Sequence, residues 1–210
     1  MAAPRTPFDP PAPCAALLAP QQQALERALE RLREAGHPLE ALLAGPEGPL
    51  WTALLLGSSW ALDRLCADAR LFAALTASGS LATPVRADTL ATAWAPFEGA
   101  LPDAPAARLA SPLGLAESPL GVALRRFRQS CMLRLLAQDL AGQRRLQETT
   151  EALSALADFC LERALESAEA RLEGLWGTPR AADGRRQRLA ILALGKLGER
   201  ALNLSSDIDL

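Results

Sequence analysis

Two carboxylates, Asp207 and Asp209, stand two residues apart in the stretch DIDL at positions 207–210 of the 210-residue chain. On an extended backbone, side chains two apart project from one face, so the pair would point together with Ile208 turned away. Carboxylates held that close repel, and a divalent cation between them offsets the cost. A small set of hard oxygen ligands suits Mg²⁺, which keeps waters or phosphate oxygens in its other positions.

Just upstream, GKLG sets Gly195 and Gly198 three residues apart after the apolar run LAILAL. Glycines at the end of a strand let backbone amides come close to a phosphate. Lys196 between them reads either as a phosphate contact or as a solvated turn residue. Strand, glycine turn and a return strand bearing DxD is the metal and phosphate corner of nucleotidyltransferases, where cations hold a triphosphate or diester in line for displacement.

The elements that must carry this corner are helical. Residues 21–35, QQQALERALERLREA, place Leu25, Leu29 and Leu32 on one side, and Gly36 follows as a stop. PLEALLAG and PLWTALLLG read as core helical pieces, and SSWALDRLCADARLFAALTASG reads as one helix capped by Ser58 or Ser59 and closed near Gly79. Prolines thicken between 80 and 119, so regular helix is expected there only in pieces such as ADTLATAWA within a connector. Two longer helices follow, one around Leu120, Leu124, Phe127, Cys131 and Leu135, the other around Leu146, Leu153, Leu156, Cys160 and Leu165. AADGRRQR is a polar turn, LAILAL is expected as a buried strand, and DIDL as its return strand.

Composition narrows the function classes. Half of the residues are apolar, enough for a real core, and a formal net charge of -2 gives no basic field for nucleic acid or for a polybasic membrane anchor. The proline-spread start lacks the apolar run of a secretory signal, and a cytoplasmic protein without a membrane span is expected. Cys14, Cys66, Cys131 and Cys160 are far apart, and His37 is the one histidine, which removes most zinc sites and weakens any Ser-His-Asp or Cys-His triad. Cys66, Cys131 and Cys160 read as apolar fillers, Arg125, Arg126 and Arg128 as a solvated helix face, and Trp51, Trp60, Trp94 and Trp176 as packing residues.

The stretch GKLGERALNLSSDIDL resembles the signature of glutamine synthetase adenylyltransferases, members of the DNA polymerase beta-like nucleotidyltransferase superfamily, whose motif runs approximately GKLGGxELNxSSDIDL. ALRRFRQSCMLRLLAQDLAG, LSALADFCLERAL and WGTP resemble the helical region and linker that precede it. The resemblance implies a mainly α chain: a helical N-terminal region over 1–183, with the proline-rich connector at 80–119, leading at 184–210 into the first strands of an α+β nucleotidyltransferase domain. It further implies a two-headed regulator of glutamine synthetase. One head removes AMP from a tyrosine by phosphorolysis to ADP and the other attaches AMP from ATP; a helical lead-in of this length points to the removing head.

In family terms Asp207 and Asp209 are Mg²⁺ ligands and catalytic residues. Gly195, Lys196 and Gly198 form the phosphate turn, with Ser205 and Ser206 beside it orienting the return strand. Glutamine synthetase and a PII-type signalling protein are the implied partners, and ATP, ADP and phosphate the implied small molecules. Two positions depart from the motif, Glu199 for a second glycine and Ala201 for a glutamate. An acidic Glu199 would disfavour a phosphate, or else point to water. Another DxD nucleotidyltransferase and a non-catalytic helical interaction module stay open as alternatives. The motif's family supplies a further carboxylate downstream of DIDL, so residues 1–210 read as an N-terminal fragment and are expected to release no AMP from adenylylated glutamine synthetase. Measured Mg²⁺-dependent phosphorolysis by them would contradict this.

Overall fold

The computed structural model describes residues 17–37, 39–76, 80–110 and 117–210. Cys14, Gly79 and Pro112 lie outside them. The helices are α1 Ala19–Glu34, α2 Glu40–Leu43, α3 Gly48–Gly57, α4 Ser59–Ala67, α5 Ala69–Thr76, α6 Leu90–Glu98, α7 Pro105–Arg108, α8 Pro119–Leu140, α9 Leu146–Trp176 and α10 Gly195–Gly198. The chain is mainly α. Among the described residues none of the helices is long and apolar enough to cross a membrane.

No strand occurs among the described residues; two isolated bridges join Arg180 to Arg186 and Leu194 to Asp209. The strands expected at 189–194 and 207–210 are therefore corrected to irregular segments that meet at one pair. LAILAL is also exposed rather than buried, with Leu189, Leu192 and Leu194 at 68%, 75% and 56%. A ladder needs a partner strand along its whole length and a layer over its face, and one bridge supplies neither.

By packing, the chain forms two compact units. The first takes the described residues up to Pro84 together with Met132–Thr149; the second takes Val85–Cys131 and Thr150–Leu210. These are packing units, a different kind of division from the functional one drawn at 183/184.

In the first unit α1 buries Leu25, Ala28 and Leu32, its amphipathic stripe, against α3, whose Leu50, Trp51 and Leu54 are enclosed. The single helix expected from Ser58 is in fact two. Ser58 caps α4, accepting from Ala61 N at 3.2 Å, but Asp68 leaves helical geometry (φ -132°, ψ 97°). Its Oδ1 accepts from Arg70 N at 3.0 Å and Leu71 N at 3.1 Å, so a carboxylate that could have sat mid-helix starts α5 instead. His37 stacks on Phe72, ring centroids 4.5 Å apart.

The second unit is organised by an aromatic cluster. Trp94 of α6 meets Phe127 of α8 edge-on at 5.3 Å, and Phe127 meets Phe159 of α9 at 5.4 Å. The proline-rich stretch therefore carries core residues: Val85 and Leu90 are buried in this unit as well as Trp94, and Leu81 in the first. Trp51 and Trp94 pack as expected, whereas Trp60 and Trp176 are exposed, Trp176 at 84%. Burial pushes the Cys160 thiol up to about 11, against the opposing pull of Arg128, consistent with an inert filler.

Thr52, Ser80, Gln138 and Thr149 are buried polar residues of the first unit, and Gln138 is the largest of them. Gln138 is buried, its Nε2 donating to Leu81 O at 2.7 Å and Thr83 O at 3.1 Å while its Oε1 accepts from Arg144 at 3.2 Å. Removing it leaves two carbonyls without their donor. Gln138→Ala is expected to lower stability by about 1–3 kcal/mol in urea unfolding, whereas a surface change is neutral to within about 0.5 kcal/mol.

Candidate functional site

The expected glycine turn and Asp209 come together around one hydrogen bond, with Asp207 two residues before it in the chain. Leu194 N donates to Asp209 O at 2.9 Å, so the chain from 194 to 209 closes a loop. Inside it, α10 is a single helical turn, with Gly198 N donating to Leu194 O and Glu199 N to Gly195 O, each at 3.1 Å. Ala201 N reaches Lys196 O at 2.7 Å, and Leu197 is buried beneath.

Both glycines are required by the space left to them. Gly195 has φ +50°, and a Cβ there would lie 2.9 Å from Asp209 Oδ2: the carboxylate rests against the bare glycine backbone. A Cβ on Gly198 would lie 2.7 Å from Ala193 O. The glycine pair thus serves the close approach of the chain and of Asp209.

The return segment is built on Asn203, whose residue type alone does not mark it as part of the site. Its Oδ1 accepts from Ser205 N at 3.0 Å and from the hydroxyls of Ser205 and Ser206 at 3.0 and 2.9 Å. Asn203 N donates to Ser206 Oγ at 3.2 Å, and Ser206 N to Asn203 O at 3.2 Å. Every donor of the two serines is engaged in this turn. They brace the approach to Asp207, and the sequence signal for it was the Asn-Leu-Ser-Ser spacing of an Asx turn.

The whole segment lies along α9. Leu202 is buried and its N donates to Ser154 Oγ at 3.4 Å, Arg200 pairs with Asp158 at 2.9 Å, and Arg188 with Glu169 at 3.1 Å. Arg200 has φ +55°, unusual for a residue with a side chain. Glu199 and Ala201, the two departures from the motif, are both exposed.

Asp207, Asp209 and Lys196 are exposed and form no ion pair or side-chain hydrogen bond with the described residues. No group of three or more His, Cys, Asp and Glu gathers among those residues. The donor set is thus two carboxylates, one of them held at a glycine turn, which fits a hard cation that fills its other positions with water and phosphate oxygens. It does not fit a closed zinc site.

Residues 58–210, from the cap of α4 through both carboxylates, match the model of the glutamate-ammonia ligase adenylyltransferase family. The chain belongs to that family. The bifunctional glutamine synthetase adenylyltransferase/adenylyl-removing enzyme of Thioalkalivibrio sulfidiphilus (strain HL-EbGR7) is 36% identical over 154 residues, 73% of this chain and 14% of that protein. The enzyme of the same description from Nitrosococcus oceani is 47% identical over 95 residues, 45% of this chain and 10% of that protein. That of Stenotrophomonas maltophilia (strain K279a) is 34% identical over 190 residues, 90% and 17%. The chain spans less than a fifth of the length of these relatives.

In this member of the adenylyltransferase family the glycine constraint gives a direct expectation. Gly198→Ala forces a side chain onto a backbone carbonyl and should destabilise by about 1–3 kcal/mol. Gly174→Ala, inside α9 where a Cβ meets nothing within 4 Å, should stabilise by up to about 1 kcal/mol. Parallel denaturant titrations of the two variants check the contrast, and equal shifts would contradict it.

Proposed function

We propose that residues 195–210 are the metal and phosphate corner of a head that removes AMP from a tyrosine of glutamine synthetase. The residues belong to a longer enzyme whose other head attaches AMP from ATP. The observation that carries this reading is the bridge from Leu194 to Asp209, which seats the Asp209 carboxylate against Gly195. The family match through residue 210 and the printed description of the relatives as adenylyl-removing enzymes support it.

Asp207 and Asp209 would hold Mg²⁺. When bound, the ion supplies charge neutralisation at phosphate oxygens and keeps them oriented for in-line displacement. The residues of the chain do the rest. Lys196, at the turn and without a carboxylate partner among the described residues, brings a point charge to a phosphate. Gly195 and Gly198 keep side chains out of its path. Ser205 and Ser206, tied to Asn203, fix the approach of the return segment.

In the transfer, an oxygen of inorganic phosphate bonds to the phosphorus of AMP as the bond from that phosphorus to the tyrosine oxygen breaks. The tyrosine oxygen takes up a proton, and ADP leaves. A PII-type signalling protein is the proposed regulatory partner and the cytoplasm the proposed place of work.

The test uses the full-length enzyme that contains these residues, with adenylylated glutamine synthetase, phosphate and Mg²⁺. Asp207→Asn and Asp209→Asn should each lower ADP formation by more than the roughly 10–100-fold typical of changes one shell outside a metal. Unchanged ADP formation in both variants would overturn the assignment. Binding of a PII-type protein, followed by titration, tests the partner separately.

A further inference from the structure

We propose that an acidic stripe on α9, Asp158, Glu169 and Glu173, forms a clasp that positions the corner, and that these three carboxylates are positioning residues for it. The inference rests on the functional reading above only for what the clasp positions; the clasp itself rests on contacts.

The three acids are eleven and four residues apart, close to whole turns of a helix, so they share one face of α9. Each takes a different arginine from the segment that follows. Glu173 pairs with Arg186 at 2.6 Å, Glu169 with Arg188 at 3.1 Å, and Asp158 with Arg200 at 2.9 Å. Glu169 uses its other oxygen for Leu189 N at 3.2 Å, and beyond Asp158 the buried Ser154 accepts from Leu202 N at 3.4 Å. Position falls along the helix as it rises along the segment, so 186–202 runs antiparallel to α9 over 154–173, about 28 Å of helix at 1.5 Å per residue.

The other acids on this part of the helix are committed elsewhere: Glu162 and Glu166 both face Arg163 of α9 itself, at 3.6 and 2.9 Å. Glu169 and Glu173 are the more enclosed carboxylates of the stripe, 16% and 24% exposed against 48% for Asp158.

Exposed ion pairs are individually weak. They matter here because little else holds the stretch. Among the described residues, the amides of 190–193 make no backbone hydrogen bond, and the leucines of LAILAL are exposed. The segment between the polar turn and the buried Leu197 is thus tied to α9 mainly through side-chain charge. The clasp ends at Arg200, whose left-handed backbone carries the chain from α10 into Leu202. Releasing Asp158 therefore frees the arm of the loop that ends in the two aspartates.

Amide hydrogen exchange on the full chain tests this without metal or nucleotide, so failure of the clasp and failure of the nucleotide reading are separable. Asp158→Asn, Glu169→Gln and Glu173→Gln should each speed exchange at Leu194, Gly198 and Leu202 by about two- to fivefold, and together by more than tenfold, at 0.15 M salt. Exchange at Ala155 and Leu156 within α9 should stay put. Asp158→Arg combined with Arg200→Asp should restore the protection that either change alone removes. Unchanged exchange at Leu194 and Leu202 in the triple variant would overturn the proposal. So would equal acceleration within α9, which would make the acids stabilisers of the helix alone, or a charge swap that restores nothing.

Discussion

One backbone hydrogen bond, Leu194 N to Asp209 O, decides what the C-terminal part of this chain can do. It closes a loop in which a single helical turn, an asparagine-centred turn and two aspartates are forced into one neighbourhood. Asp209 can take that place only because Gly195 offers no side chain, and the chain can turn beneath Ala193 only because Gly198 offers none. Backbone pairing, glycine and carboxylate form one unit, and substitution of either glycine disturbs all three.

That loop depends on a scaffold far larger than itself. Phe159 ties α9 into the aromatic cluster with Phe127 and Trp94, so the helix along which the segment lies is held by contacts of its own. Leu197 and Leu202 then anchor the loop by burial, and the charged rungs align the rest. Burial supplies the larger energy per residue, while the ion pairs supply register. A loop held in one register needs both, since a shift of one residue along α9 would carry Lys196 and Asp209 away together.

Much of this was legible in the sequence, for identifiable reasons. The long helices α8 and α9 announce themselves through apolar residues at three- and four-residue steps, and the GKLG and DID residues through their types and spacing. The break at Asp68 is not legible because apolar periodicity continues across it, while the cap that causes it is a local contest between Asp68 and the helix backbone. LAILAL has the composition of a buried strand; burial, though, is a property of what lies alongside, and a single bridge provides no sheet. Asn203 and the acids of α9 escaped notice for the opposite reason. Their residue types are ordinary on a surface, and their roles appear only when the antiparallel course of 186–202 is known.

The central claim is that Asp207 and Asp209 jointly hold a divalent cation at the glycine turn. Titrating Mn²⁺ into isotope-labelled protein and following paramagnetic broadening of amide signals tests it most directly, because the effect is local. The account predicts that broadening begins at Gly195, Ile208 and Asp209, is displaced by Mg²⁺, and is absent in Asp207→Asn/Asp209→Asn. Broadening centred instead on Glu169 and Glu173, or unaltered in that double variant, would contradict it.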